Sequence, residues 1–170
     1  MIPDLTENAR KRVFWPKVAL IGSLRFYQEM RNLYEEFGKE GIDALVPWPH
    51  YRDPEDATKY DPMWSGSEEH IAIARKQELE TQLLGSRASD LAYVVNPDGL
   101  IEDRDAVVIG FTLQAGKDAY CMKRIPVRGL ANKIHVKTPQ EIIEIARGLK
   151  ETKYRPLLED FRRRTGEHDL

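Results

Sequence analysis

The chain has 170 residues, 41% hydrophobic and 32% charged, a balance that excludes a disordered polymer and predicts a single domain spanning 1–170 with a solvated surface. A formal net charge of −2 gives no global pull toward nucleic acid or an acidic membrane, so neither is an expected partner. The lone cysteine, Cys121, excludes an intrachain disulfide and a cysteine-built metal cluster, no apolar run reaches membrane-spanning length, and Met1 to Trp15 is too polar for a signal peptide, so the expected location is the cytoplasm.

Residues 1–16 read as an N-terminal arm. From Lys17 to Pro47 the pattern is that of a βαβ unit: Val18-Ala-Leu-Ile21 is an apolar strand closed by Gly22-Ser23, and Ala44-Leu-Val46 is a second strand after Gly41. Between them Tyr27, Met30, Leu33, Tyr34 and Phe37 recur at helical spacing and make one apolar face. A helix crossing between two strands in one sheet predicts that those strands are parallel. Prolines dissolve the pattern between Pro47 and Ser67, which reads as a long loop.

Ser67-Glu-Glu-His70 opens a helix expected to run to Gly85. Asp90-Leu-Ala-Tyr-Val-Val-Asn96 is apolar almost throughout, as a strand buried on both faces requires, and it ends in the turn Asn96-Pro-Asp-Gly99. A further helix ends around Gln114-Ala115-Gly116 with Gly116 as its stop, and Ala119-Tyr-Cys-Met122 follows as a strand. Lys133-Ile-His-Val136 is the expected last strand. Thr138-Pro-Gln-Glu141 carries a capping box with proline at the first helical position, and Ile142, Ile143, Ile145, Ala146 and Leu149 supply that helix's buried stripe. Residues 154–170 read as a short docking helix and a frayed polar tail. The alternation predicts an α/β fold in three layers around a mostly parallel five-stranded sheet.

Two strand-end turns carry the candidate chemistry. Gly22, Ser23 and Arg25 can hold a phosphate or a sugar through backbone N–H groups and a guanidinium, or simply turn the chain. Asn96, Asp98 and Gly99 can bind a sugar hydroxyl, or be turn residues only. The acidic run Glu102-Asp-Arg-Asp105 offers carboxyls to catalysis or to a helix start. His50, His70, His135 and His168 are scattered without ligand spacing, so no metal site is expected. Cys121, in an apolar strand, reads as a buried inert thiol, and Arg162-Arg-Arg164 as a solvated basic run.

Gly22-Ser23-Leu24-Arg25 is similar to the G-S-x-R stretch of nucleoside 2-deoxyribosyltransferases and of related N-glycosidases that cleave 5′-monophosphates. Ser89 to Gly99 followed by Ile109-Gly-Phe-Thr-Leu-Gln-Ala-Gly-Lys117 resembles that family's strand ending N-P-x-G-Y-I-G, its E-I-G-Y-A helix and its closing G-K. The resemblance covers most of Lys17 to Met122; beyond it only the rhythm agrees. It implies a flavodoxin-like or Rossmann-like fold and cleavage of a nucleoside C–N bond through a glycosyl or oxocarbenium-like step, without a cofactor, on a small-molecule nucleoside or nucleotide, in a homo-oligomer of two or more copies. The family's nucleophilic glutamate falls on Val108, and Arg104 and Asp105 stand where relatives carry small hydroxyl residues. The expected catalytic residues are therefore Asp98, Asp103 and Asp105, with Gly22, Ser23, Arg25, Asn96, Gly99 and Arg104 binding substrate. A ligand-binding member of the same fold without turnover is the alternative.

Overall fold

Strand residues alternate between the two faces of a sheet, and helices cover whichever face is apolar. The computed structural model describes residues 5–47 and 68–167. Its strands are β1 (Lys17–Ile21), β2 (Asp43–Leu45), β3 (Leu91–Val94), β4 (Asp118–Cys121) and β5 (His135–Val136), and every pairing among them is parallel. The sheet order β2-β1-β3-β4-β5 is the flavodoxin-like arrangement the sequence predicts. In that order the chain switches direction between β1 and β3, so the turns leaving those two strands lie side by side at the C-terminal edge of the sheet.

Val18, Leu20, Leu91 and Tyr93 point to one face, where Met30, Leu33 and Phe37 of α2 (Tyr27–Lys39) and Ile142, Ile143 and Ala146 of α6 (Pro139–Leu149) cover them. Ala19, Ile21, Ala92, Val94, Ala119 and Cys121 point to the other. There the cover comes from Leu79 and Leu83 of α3 (Glu68–Ala88) and from Val108 and Ile109 of α4 (Asp103–Gln114). Each fully buried aliphatic or aromatic side chain in these layers is worth about 2 kcal/mol of transfer free energy. Cys121 is buried as expected, and burial pushes its thiol pKa up, against a hydrogen bond from the Ile125 backbone.

The local signals are realised where they were strongest. Glu141 N–H donates to Thr138 Oγ1 at 3.2 Å and Thr138 N–H to Glu141 Oε2 at 2.8 Å, a reciprocal cap with Pro139 just inside the helix. Gly116 has φ +72°, and the bonds Gly116 N–H to Leu113 O and Lys117 N–H to Thr112 O close α4 in a Schellman turn.

Four expectations change. The arm holds a helix, α1 (Leu5–Arg12), that no periodicity announced. α3 continues past Gly85 to Ala88, because the Lys117 ammonium bonds the carbonyls of Ser86, Arg87 and Ser89 and so closes the helix from a distant part of the chain. β5 is two residues long instead of four, its His135 and Val136 meeting Tyr120 and Cys121 with both side chains exposed. The tail is not frayed before Thr165: after the four-residue helix α5 (Arg128–Ala131) and α6, a π-helical turn over Lys150–Tyr154 leads directly into α7 (Arg155–Thr165), which Gly166 ends at φ +73°. The predicted loop falls on residues 48–67, outside the described residues, as does His168. No helix among the described residues is long and apolar enough to cross a membrane.

The π-helical turn places Tyr154 over the N-terminal edge of the sheet, where its hydroxyl donates to Asp90 Oδ2 at 2.6 Å. Lys17 N–H donates to the same oxygen at 2.8 Å and Lys153 Nζ to the other. Burial pushes the Asp90 pKa up, but Lys153, Tyr154 and the Lys17 N–H outweigh it and hold the carboxyl below its ordinary range. A depressed carboxyl stabilises the fold fully above its unfolded pKa and loses that contribution as pH falls through the folded value. Asp90→Ala, which strands the Lys17 N–H and the Tyr154 hydroxyl, is expected to cost about 3 kcal/mol in urea unfolding at neutral pH. The difference from wild type should shrink in acid; a neutral-pH cost indistinguishable from zero contradicts the latch.

Candidate active site

Gly22 leaves β1 with its Cα pressed on the chain that leaves β3: a Cβ built there would lie 2.7 Å from the carbonyl oxygen of Val95. Only glycine permits that approach, and it brings the two predicted turns into contact. The Ser23 hydroxyl donates to Glu102 Oε1 at 2.5 Å, and Arg25 Nη2 donates to Asp98 Oδ2 at 2.6 Å. Ser23 is buried, while the arginine and its partner are open to solvent and Arg25 also lies over the Phe26 ring.

The turn after β3 is fixed from within. Gly99 N–H donates to Asn96 O, Leu100 N–H to Asp98 Oδ1, and Gly99 takes φ +80°, a conformation side chains rarely tolerate. The buried carboxamide of Asn96 donates to Lys123 O at 2.8 Å and accepts from Lys123 N–H at 3.1 Å, so it fastens the loop after β4 to this turn.

Asp105 sits in the first turn of α4: its Oδ2 accepts the Glu102 N–H at 3.0 Å, which starts the helix, while its Oδ1 is buried without a partner. The side chain is 1% exposed. Burial raises its pKa above the ordinary value and the neighbouring Glu102 carboxylate adds to the rise, against the Glu102 N–H, Arg104 and Arg25. Arg104 approaches Glu102 at 3.8 Å, and Asp103 faces solvent on the first turn of α4. The structure thus brings Ser23, Arg104 and Asp105 to Glu102 and pairs Arg25 with Asp98, with Gly22, Asn96 and Gly99 shaping the two turns and Asp103 exposed on the first turn of α4.

Val108 does not reach this group. It is 0% exposed and packs with Ile21, Val94 and Ile109 in the apolar layer between α4 and the sheet.

Two residues emerge that the sequence reading did not select. Glu102, part of the acidic run, is the hub that Ser23 and Arg104 meet. Gln82 lines a cavity of about 420 Å³ bounded by Ala19 and Leu20 of β1, Leu45 to Pro47 at the end of β2, and Tyr34 of α2. Gln82 is 4% exposed, and neither atom of its carboxamide has a partner. The sequence signal was a polar residue on an apolar stripe, since Leu79, Gln82, Leu83 and Ser86 share one helix face. Among the described residues no three His, Cys, Asp or Glu side chains are grouped to hold a metal ion.

Two solved structures are similar to this chain. One is a conserved protein from Enterococcus faecalis V583, at 16% identity over 76% of this chain and 96% of that one, with a TM-score of 0.45. The other is a 2-deoxyribosyltransferase from Bacillus psychrosaccharolyticus, at 13% identity over 75% of this chain and 90% of that one, with a TM-score of 0.47. No family model and no curated protein matches the chain.

Proposed function

We propose that this protein cleaves the N-glycosidic bond of a nucleoside or nucleotide, by transfer or by hydrolysis, in the crevice between the Gly22–Arg25 and Asn96–Asp105 turns. The observation that carries the reading is the meeting of those turns through Ser23–Glu102 and Arg25–Asp98, with a buried carboxyl behind them. The sequence resemblance supports the reaction class, and the geometry is consistent with the roles given below to residues it left open.

Asp105 is the general acid: burial favours its protonated form, and a proton delivered to the departing base makes that base a better leaving group. Glu102 and Asp98 are the carboxylates that meet the positive charge growing on the sugar as the C–N bond lengthens, and the Ser23 hydroxyl and the Arg25 guanidinium hold them in orientation. Ser23 and Arg25 position those carboxylates and offer contacts to sugar hydroxyls. The unpartnered amide edge of Gln82 suits the amide edge of a nucleobase, which pairs donor with acceptor. Water or a second base resolves the sugar intermediate.

Val107 and Phe111, 56% and 40% exposed and one turn apart on α4, support a homo-oligomer built over that helix.

A second reading is favoured by Val108, which fills the family's glutamate position with core: the crevice binds a nucleotide-like ligand without turnover. Incubating the folded protein with a panel of ribo- and deoxyribonucleosides and their 5′-monophosphates, followed by chromatography, separates the two. Free base from at least one member is expected; thermal stabilisation by a ligand with no base released selects the binding-only reading.

A further inference from the structure

In the crevice itself, the groups able to grip a phosphate are already engaged. Ser23 holds Glu102 and Arg25 holds Asp98, while the carboxylates of Asp98, Glu102 and Asp103 together repel a dianion. Positive charge is instead concentrated in the loop between β4 and β5: Lys123, Arg124, Arg128 and Lys133 fall within residues 123–133, a stretch without one acidic residue.

That loop borders an open hollow of about 440 Å³ lined by Arg124, Ile125, Pro126, Arg128, Ala131 and Asn132. Its floor is Ile125, buried in the apolar layer of the sheet, so the walls that carry the arginines are anchored. Among the described residues neither Arg124 nor Arg128 has a carboxylate partner, whereas Arg147, Arg155, Arg163 and Arg164 each do. Two guanidiniums border one hollow beside the Asn132 amide, and a guanidinium is the donor fork that matches phosphate oxygens. The loop that bears the hollow is also fastened to the turn after β3. Asn96 clamps Lys123 by both its backbone groups, and a Cβ at Gly99 would lie 4.0 Å from the Lys123 Cβ.

We propose that the Arg124–Arg128 cavity is a phosphate-binding pocket, and that it makes the substrate a phosphorylated nucleoside. The second half rests on the N-glycosidic reading above; the first does not. Sugar hydroxyls then face Asp98 and Glu102 while the phosphate reaches across the Asn96–Gly99 turn to the arginines.

Calorimetric titration with inorganic phosphate tests the pocket alone. Saturable binding to the wild type is expected, weakened about tenfold or more in the Arg124→Gln/Arg128→Gln double variant and by added salt, and unchanged in Arg163→Gln/Arg164→Gln on α7. Absence of saturable binding to the wild type, or equal affinity in the two double variants, overturns it. Titration with a 5′-monophosphate and its parent nucleoside tests the substrate class: the Arg124/Arg128 variant should weaken the nucleotide and leave the nucleoside unaffected, and equal loss for both overturns the assignment. Phosphate binding that depends on these arginines in a protein releasing no base sinks only the glycosidic reading. Base release at equal rates from nucleoside and nucleotide sinks only the pocket's role in substrate choice.

Discussion

Val108→Glu is expected to destabilise the protein by about 4 kcal/mol and to yield no gain in base release, because it buries a carboxylate among apolar side chains with nothing to pair it. The position is fully buried against Ile21, Val94 and Ile109. The residue count alone makes this the site at which to restore a family nucleophile; the packing makes it a core position. Urea unfolding of the variant beside the wild type measures the cost, and chromatography measures turnover. A Val108→Glu protein as stable as wild type that releases base faster contradicts the placement of the reacting group at Asp105.

Asp105→Asn is the converse case, with stability and activity moving in opposite directions. A carboxyl whose folded pKa is raised above its unfolded value costs the fold stability progressively as pH rises from the unfolded value through the folded one. Burial is the main cause of that rise at Asp105, and an asparagine removes the titration while its carbonyl can still accept the Glu102 N–H. At neutral pH the variant should therefore be more stable by about 1 kcal/mol, the scale of relieving one badly solvated buried group. The gain should vanish in acid, where the aspartic acid is itself protonated. Base release should fall about a thousandfold, within the range for loss of a general acid. Equal urea midpoints at all pH values with activity retained would show a carboxyl that does nothing for either property.

What could be read in the sequence was what short-range physics determines. The continuous apolar runs of β1 and β3, the helical face of Tyr27 to Phe37, the Thr138 cap and the Gly116 stop are each encoded within a few residues, and each appears. The parallel pairing of β1 and β2 follows from them with the chain-crossing rules. The end of α3 was not legible, since the group that closes it, Lys117, is 31 residues from Ser86 in sequence. The π-helical turn before α7 was equally hidden, because what it serves is the reach of Tyr154 to Asp90, 64 residues away.

The candidate site divides in the same way. Glycine and proline punctuation marked both turns, and the topology then brought them together. Which acid lies buried was not marked: Asp98, Asp103 and Asp105 look alike as letters, and only the pitch of α4 exposes Asp103 while burying Asp105. Gln82 was legible in principle as a polar break in an apolar stripe, but its significance depends on both carboxamide atoms lacking partners, which is a property of the packed structure.

The most direct measurement is the pH dependence of free base released from a nucleoside 5′-monophosphate, by wild type and by Asp105→Asn in parallel. Release by the wild type should be fastest on the acid side and decline as pH rises through the raised pKa of Asp105, with the variant slow and insensitive to pH over that range. Wild-type rates retained by Asp105→Asn, or no base from any substrate in a protein shown to be folded, would contradict it.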